Sequence, residues 1–221
     1  MEGRILRRQA DPQAQSQIAG SGGRAITIRM TCGAAVAVIT GALLVSALML
    51  VTASVAGIDV ASAKAAKCKW AGRGPRSVSP DHARHAVVCQ INKKRRNHGL
   101  NGVDSKYALR KAGRRHSNYM QRRNCFAHQC PGEKDLVGRI HATSYLPCNC
   151  TWRVGETLAW GAKRRGSPRA IVKAWMNSDA HRHVLLDRQL KNVGIGLVWG
   201  SPSNPRARAA TYTADFGYKS R

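Results

Sequence analysis

A run of 27 residues, Cys32 to Ile58, contains no charged side chain and consists largely of Ala, Val, Leu and small polar residues. It decides which part of the chain has to build a water-soluble core. About 20 apolar residues are enough to cross a bilayer. Arg4, Arg7, Arg8, Arg24 and Arg29 precede the run, a basic flank of the kind that stays cytoplasmic. Ala61-Ser62-Ala63 follows it, small residues at the spacing a signal peptidase accepts. The chain therefore divides into a basic cytoplasmic region (1–29), a signal peptide or signal anchor (30–63), a basic linker (64–79) and a folded domain (80–221). The length of the run argues for a retained anchor and the Ala-Ser-Ala site for cleavage, and the sequence leaves both open. Either way the chain from Lys64 onward is secreted or extracellular.

Removing that segment concentrates the charge. The first 63 residues hold five of the 37 Lys and Arg and three of the 11 Asp and Glu, so the remainder keeps a net charge of +24. Such an excess fits an anionic envelope polymer or a lipid surface as partner. No nucleic-acid recognition motif is present, and an exported chain has no dedicated nucleic-acid partner. Six cysteines remain, Cys68, Cys89, Cys125, Cys130, Cys148 and Cys150. Three disulfides are the default in an oxidising compartment, each contributing about 2 to 4 kcal/mol, with the pairing left open. A four-thiolate zinc site from Cys125, Cys130, Cys148 and Cys150 is the second reading. Oxidising export weighs against it, as does a Cys-x-Cys spacing unlike that of zinc ribbons.

Periodicity places helices first. Ser79 caps a helix with Pro80 and Asp81 in its first turn and Ala83, Val87, Val88 and Ile91 on one face; it ends in Lys93-Lys94-Arg95-Arg96 before Gly99. A second helix runs from Ser105 to about Arg123. Leu109, Ala112, His116, Tyr119 and Met120 lie on one face, with Arg110, Lys111, Arg114 and Arg115 opposite as a solvated face or a face for an anionic partner. A short helix is expected over 135–143 and a loop over 147–155. Ser167-Pro168 opens another helix carrying Ile171, Val172 and Trp175, and Ser178 caps a short one through Val184-Leu185-Leu186. Val193 to Trp199 and Thr211 to Phe216 are β-prone. Helices followed by late strands give an α+β class rather than a parallel α/β sheet.

Six blocks in order resemble the CAP superfamily of cysteine-rich secretory, antigen 5 and pathogenesis-related 1 proteins, and its bacterial SCP-domain branch in particular. They are Val88-Cys89-Gln90-Ile91-Asn92 with Gly99-Leu100, His116-Ser117-Asn118-Tyr119-Met120 with Cys125-Phe126-Ala127-His128, Gly155-Glu156-Thr157-Leu158-Ala159-Trp160-Gly161, Ala174-Trp175-Met176-Asn177-Ser178-Asp179-Ala180-His181-Arg182, Val193-Gly194-Ile195-Gly196, and Tyr212-Thr213-Ala214-Asp215-Phe216-Gly217. The resemblance implies an α-β-α sandwich with helices on both faces of an antiparallel sheet. It also implies an open groove with two His and two Glu. His128, Glu156 and His181 match three of those positions; Ser178 stands where the second Glu is usual, and Thr157 replaces the usual Asn beside Glu156.

Two imidazoles and a carboxylate form a three-ligand set for zinc or a similar divalent metal, and the other reading keeps His128 and His181 as hydrogen-bonded groove residues. His116, on the apolar stripe, reads as a core histidine. A nucleophilic hydrolase fits poorly. There is no Gly-x-Ser-x-Gly elbow, no cysteine stands apart as a nucleophile, and Ser117 beside His116 on one helix has the wrong geometry for a proton relay. The leading expectation is an exported CAP/SCP domain that binds a ligand or ion at the cell envelope. The alternatives are a metal-assisted hydrolase of peptide or peptidoglycan using His128, Glu156 and His181, and a basic adhesin for anionic polymers or lipids.

Overall fold

The structure of the protein is a computed structural model. It describes residues 67–146 and 151–220, together with the backbone of one strand nearer the N-terminus. The export segment (30–63), Cys148 and Cys150 lie outside the described residues. Among the described residues no helix is long and apolar enough to cross a membrane.

The elements, in chain order, are β1 (Ala14–Gly20), α1 (Pro80–Asn97), β2 (Asp104–Ser105), α2 (Tyr107–Arg123), α3 (Leu136–His141), β3 (Trp152–Ala162), α4 (Pro168–Met176), α5 (Asp179–Leu186), β4 (Asn192–Trp199) and β5 (Ala209–Lys219). The sheet order is β1-β3-β5-β4-β2. β3, β5 and β4 are antiparallel neighbours, while β2 adds a short parallel edge to β4. β1 pairs with the outer edge of β3.

Helices cover both faces, as an α-β-α sandwich requires. The alternation of side chains along a strand decides which face each residue serves. Val193, Ile195 and Leu197 of β4 and Tyr212, Ala214 and Phe216 of β5 point into a core closed by Val87 and Ile91 of α1, Ile171 and Trp175 of α4, and Leu185 of α5. The intervening residues face the other layer. There α2 and α3 supply Leu109, Ala112, Leu136 and Ile140, which pack with Val154 of β3. On that side, under α2, β4 presents Gly194 and Gly196. A Cβ on Gly194 would fall 2.0 Å from the Arg110 backbone nitrogen, and one on Gly196 would fall 2.1 Å from the Gly113 carbonyl carbon. The Gly-x-Gly pattern thus lets the backbone of α2 lie directly on the sheet.

Ser79 and Ser167 cap α1 and α4 through their side chains, each ahead of a first-turn proline. Three expectations need correction. Ser105 belongs to β2, because its backbone pairs with Val193, so α2 starts two residues later. Ser178 occupies the cap position of α5, yet its side chain makes no capping bond. Residues 152–155 open β3 rather than continuing a loop. Arg95, in the last turn of α1, is buried and donates to the carbonyls of Asn101, Leu185, Asp187 and Leu190, joining the ends of α1 and α5.

Cys68 pairs with Cys89 and Cys125 with Cys130. The first bond ties the stretch read as a basic linker onto α1. Arg169 N donates to Ala71 O, and Ala71 is buried, so this stretch packs as part of the domain. The second bond removes two of the four thiols a zinc-thiolate site would need.

Candidate functional site

The sheet face toward α2 and α3 is where polar groups collect. Glu156 on β3 and Asp215 on β5 are direct cross-strand partners, and both are fully buried. Two carboxylates placed opposite each other repel unless a cation or a proton intervenes. Arg139 of α3 supplies the cation: its Nη2 donates to Glu156 Oε2 at 2.6 Å. Its Nη1 donates to the carbonyls of His128 at 2.7 Å and Lys134 at 3.0 Å, which fastens the 128–134 loop against the sheet.

His128 meets the other carboxylate oxygen, with Nδ1 2.6 Å from Glu156 Oε1. His116 of α2 lies beneath. Its Nδ1 donates to Glu133, 2.9 and 2.8 Å from the two oxygens, and its Nε2 sits 3.9 Å from Glu156 Oε2. Cys130, held by the short bridge to Cys125, opens the turn that carries Glu133, whose backbone nitrogen donates to Cys130 O.

His128 and Glu156 are therefore in direct contact. His181 is buried at the third position of α5. Among the described residues no group of three His, Cys, Asp or Glu side chains is arranged to hold a metal ion. The donor chemistry agrees: one Glu156 oxygen is engaged by an imidazole, and a guanidinium already neutralises the other. A dication would have to displace Arg139 or sit beside it, so these residues do not fit the three-ligand zinc set expected from their types. Thr157 Oγ1 is buried with no hydrogen-bond partner among the described residues.

Sequence reasoning missed Glu133, Arg139 and Asp215. His116 is buried as expected of a core histidine, yet its partner is a carboxylate. A signal existed for Arg139, which sits between Leu136 and Ile140 on a short apolar helix. None existed for Glu133, in a loop.

Burial alone would raise the Glu156 carboxyl. The hydrogen bond from His128 and the charge of Arg139, with smaller contributions from the two imidazoles, outweigh it and hold the group at about 2. Asp215 goes the other way: burial, and then the neighbouring Glu156 carboxylate, push it well above the ordinary carboxylate range. For Arg139, burial opposes the charge but Glu156 and Asp215 outweigh it, so the guanidinium is held above its ordinary value.

The two carboxyls leave opposite marks on stability. Glu156 contributes stability that is complete above its unfolded value of 4.5 and is lost as pH falls through about 2. Asp215 contributes stability that is complete below its unfolded value of 3.8 and is lost as pH rises through its folded value. Glu156→Gln is therefore expected to lower the melting temperature most at pH 7, with the deficit shrinking toward pH 2. Asp215→Asn, which keeps a neutral side chain of the same shape, is expected to be no less stable than wild type at pH 7. Thermal unfolding from pH 2 to 8 checks both, and a stability loss in Asp215→Asn that grows with pH would contradict the assignment.

Residues 88–205 match the model of the CAP, or cysteine-rich secretory protein, family. The chain belongs to that family. It is 33% identical over 140 residues to a Bacillus subtilis (strain 168) protein named "Uncharacterized protein YkwD", a match covering 62% of this chain and 50% of that one. The chain thus spans about half the length of that curated relative. In structure it resembles an outer surface protein from Borrelia burgdorferi, with a TM-score of 0.54 and 18% identity over 66% of this chain and 99% of the other. An extracellular SCP-domain protein from Bacillus anthracis str. Ames matches with a TM-score of 0.47 and 23% identity, over 63% of this chain and 43% of the other.

Proposed function

We propose that the protein is an exported CAP domain acting at the cell envelope as a ligand-binding module, with His128 as the group that meets the ligand. One observation carries this reading. Within the network His128 alone reaches solvent appreciably, its side chain being 18% exposed, against 8% for Glu133, 6% for Arg139 and 0% for Glu156 and His116. In the tautomer that donates Nδ1–H to Glu156, Nε2 is an acceptor. That nitrogen is itself buried and has no hydrogen-bond partner among the described residues, so a ligand reaches it only by entering beside the exposed part of the ring. The ligand it suits is a donor, such as the hydroxyl of a sugar or an alcohol. Arg139 and Glu156 position the ring. The fold shared with an outer surface protein supports an extracellular setting.

The test is to pass lipid, peptidoglycan and polysaccharide fractions of a bacterial envelope over immobilised protein. A hydroxyl-bearing component is expected to be retained by wild type and weakened about tenfold by His128→Ala, the worth of one hydrogen bond. Equal retention by both would overturn the reading. Peptidoglycan turnover that disappears in a folded Glu156→Gln variant would replace it with the hydrolase.

A further inference from the structure

On the surface between α1 and the first half of α2 lie two adjoining hollows, of about 240 and 490 Å³, which share Arg84, Tyr107 and Arg110. Together they are lined by six cations, Arg84, Lys106, Arg110, Lys111, Arg114 and Arg115. The one carboxylate in the lining is Asp81, which pairs with Arg84 and, at 3.4 Å, with Arg110.

This charge works against the helix that carries it. α2 contains no acidic residue at all. Arg110 with Arg114 and Lys111 with Arg115 are like-charge pairs one turn apart, each costing a few tenths of a kcal/mol. Arg110 and Lys111 also sit near the positive end of the helix dipole. None of these cations belongs to the buried face of α2, which is formed by Leu109, Ala112, Gly113, His116, Ser117 and Met120.

At the junction of the hollows stands Tyr107, 68% exposed and the one large hydrophobic residue exposed among the described residues. The Arg110 guanidinium lies 4.7 Å from its ring centroid, which holds the ring in place. Val88 and the β4 backbone at Gly194 line the smaller hollow beneath. Cations, an anchored aromatic ring and an apolar floor, arranged along a depression, match a sugar chain with acid groups. The acids would pair with the arginines and an apolar sugar face would lie on Tyr107. A bilayer is flat and meets the rim of a depression rather than its floor.

We propose that this trough binds a linear anionic polysaccharide, at a site separate from His128 and independent of what His128 binds. The test uses the full chain in non-ionic detergent over immobilised polygalacturonate, with dextran, inorganic polyphosphate and phosphatidylglycerol mixed micelles as competitors. Wild type is expected to bind and to lose affinity steeply with added salt. Arg110→Glu/Lys111→Glu is expected to weaken binding about tenfold or more. Arg206→Glu/Arg208→Glu, an equal charge change at exposed residues outside the trough, is expected to weaken it far less. Tyr107→Ala should weaken polygalacturonate binding while leaving polyphosphate competition unchanged. Equal losses in the two double variants would show diffuse charge attraction and overturn the proposal, as would no effect of Tyr107→Ala. Binding of phosphatidylglycerol micelles without polygalacturonate would assign the surface to lipid and overturn it too.

Discussion

Gly196→Ala is expected to destabilise the domain by about 3 kcal/mol or more, at or beyond the upper end for an overpacked core. The added Cβ would lie 2.1 Å from the Gly113 carbonyl carbon and 2.4 Å from the Arg114 backbone nitrogen. These are backbone atoms of α2, so no side-chain rotation relieves the clash; α2 would have to lift from the sheet. Lifting α2 would also separate Ser117 from Thr213, whose hydroxyls are 2.8 Å apart, and move His116 away from Glu156. Gly72→Ala is the control, since a Cβ there meets nothing within 4 Å. Denaturant unfolding of the two variants checks the expectation, and equal midpoints would mean that α2 is not seated on β4 as described.

The second large effect is at Arg139. Arg139→Met leaves the buried Glu156 carboxylate facing Asp215 without its cation, and breaking a buried pair in this way costs about 3 to 5 kcal/mol. The carbonyls of His128 and Lys134 lose their donor as well. The deficit has a pH signature. Without the guanidinium the Glu156 carboxyl moves upward, so it takes up a proton as pH falls and the deficit narrows toward pH 4. Arg139→Met/Glu156→Gln is expected to recover part of the loss at pH 7. A single variant with a pH-independent deficit, or a double variant no better than the single, would show that Arg139 acts by packing alone.

Most of the helical framework is legible because its signals are local. Ser79-Pro80 and Ser167-Pro168 announce two helix starts, and both side chains cap as expected. The last two strands show as β-prone runs. β3 does not, since residues 154–159 are buried on both faces of the sheet and show no polar alternation, with a glutamate in their midst. Its length emerges only from eleven paired positions against β5. The site follows the same division. His128 and Glu156 were reached through the family resemblance. Arg139 and Asp215 were not, because a charged side chain in a short sequence window reads as exposed, and the partners that allow these two to be buried come from elements distant in the chain. Zinc was expected from residue types; the guanidinium on the same carboxylate is a fact of tertiary packing.

Arg139 and His128 each engage one oxygen of the Glu156 carboxylate, a network that competes with any metal ion for it. Calorimetric titration of the purified protein with Zn²⁺, in wild type and in His128→Ala, puts that arrangement to the test. No saturable binding that distinguishes the two proteins is expected. A stoichiometric Zn²⁺ site in wild type that is lost in His128→Ala would refute it.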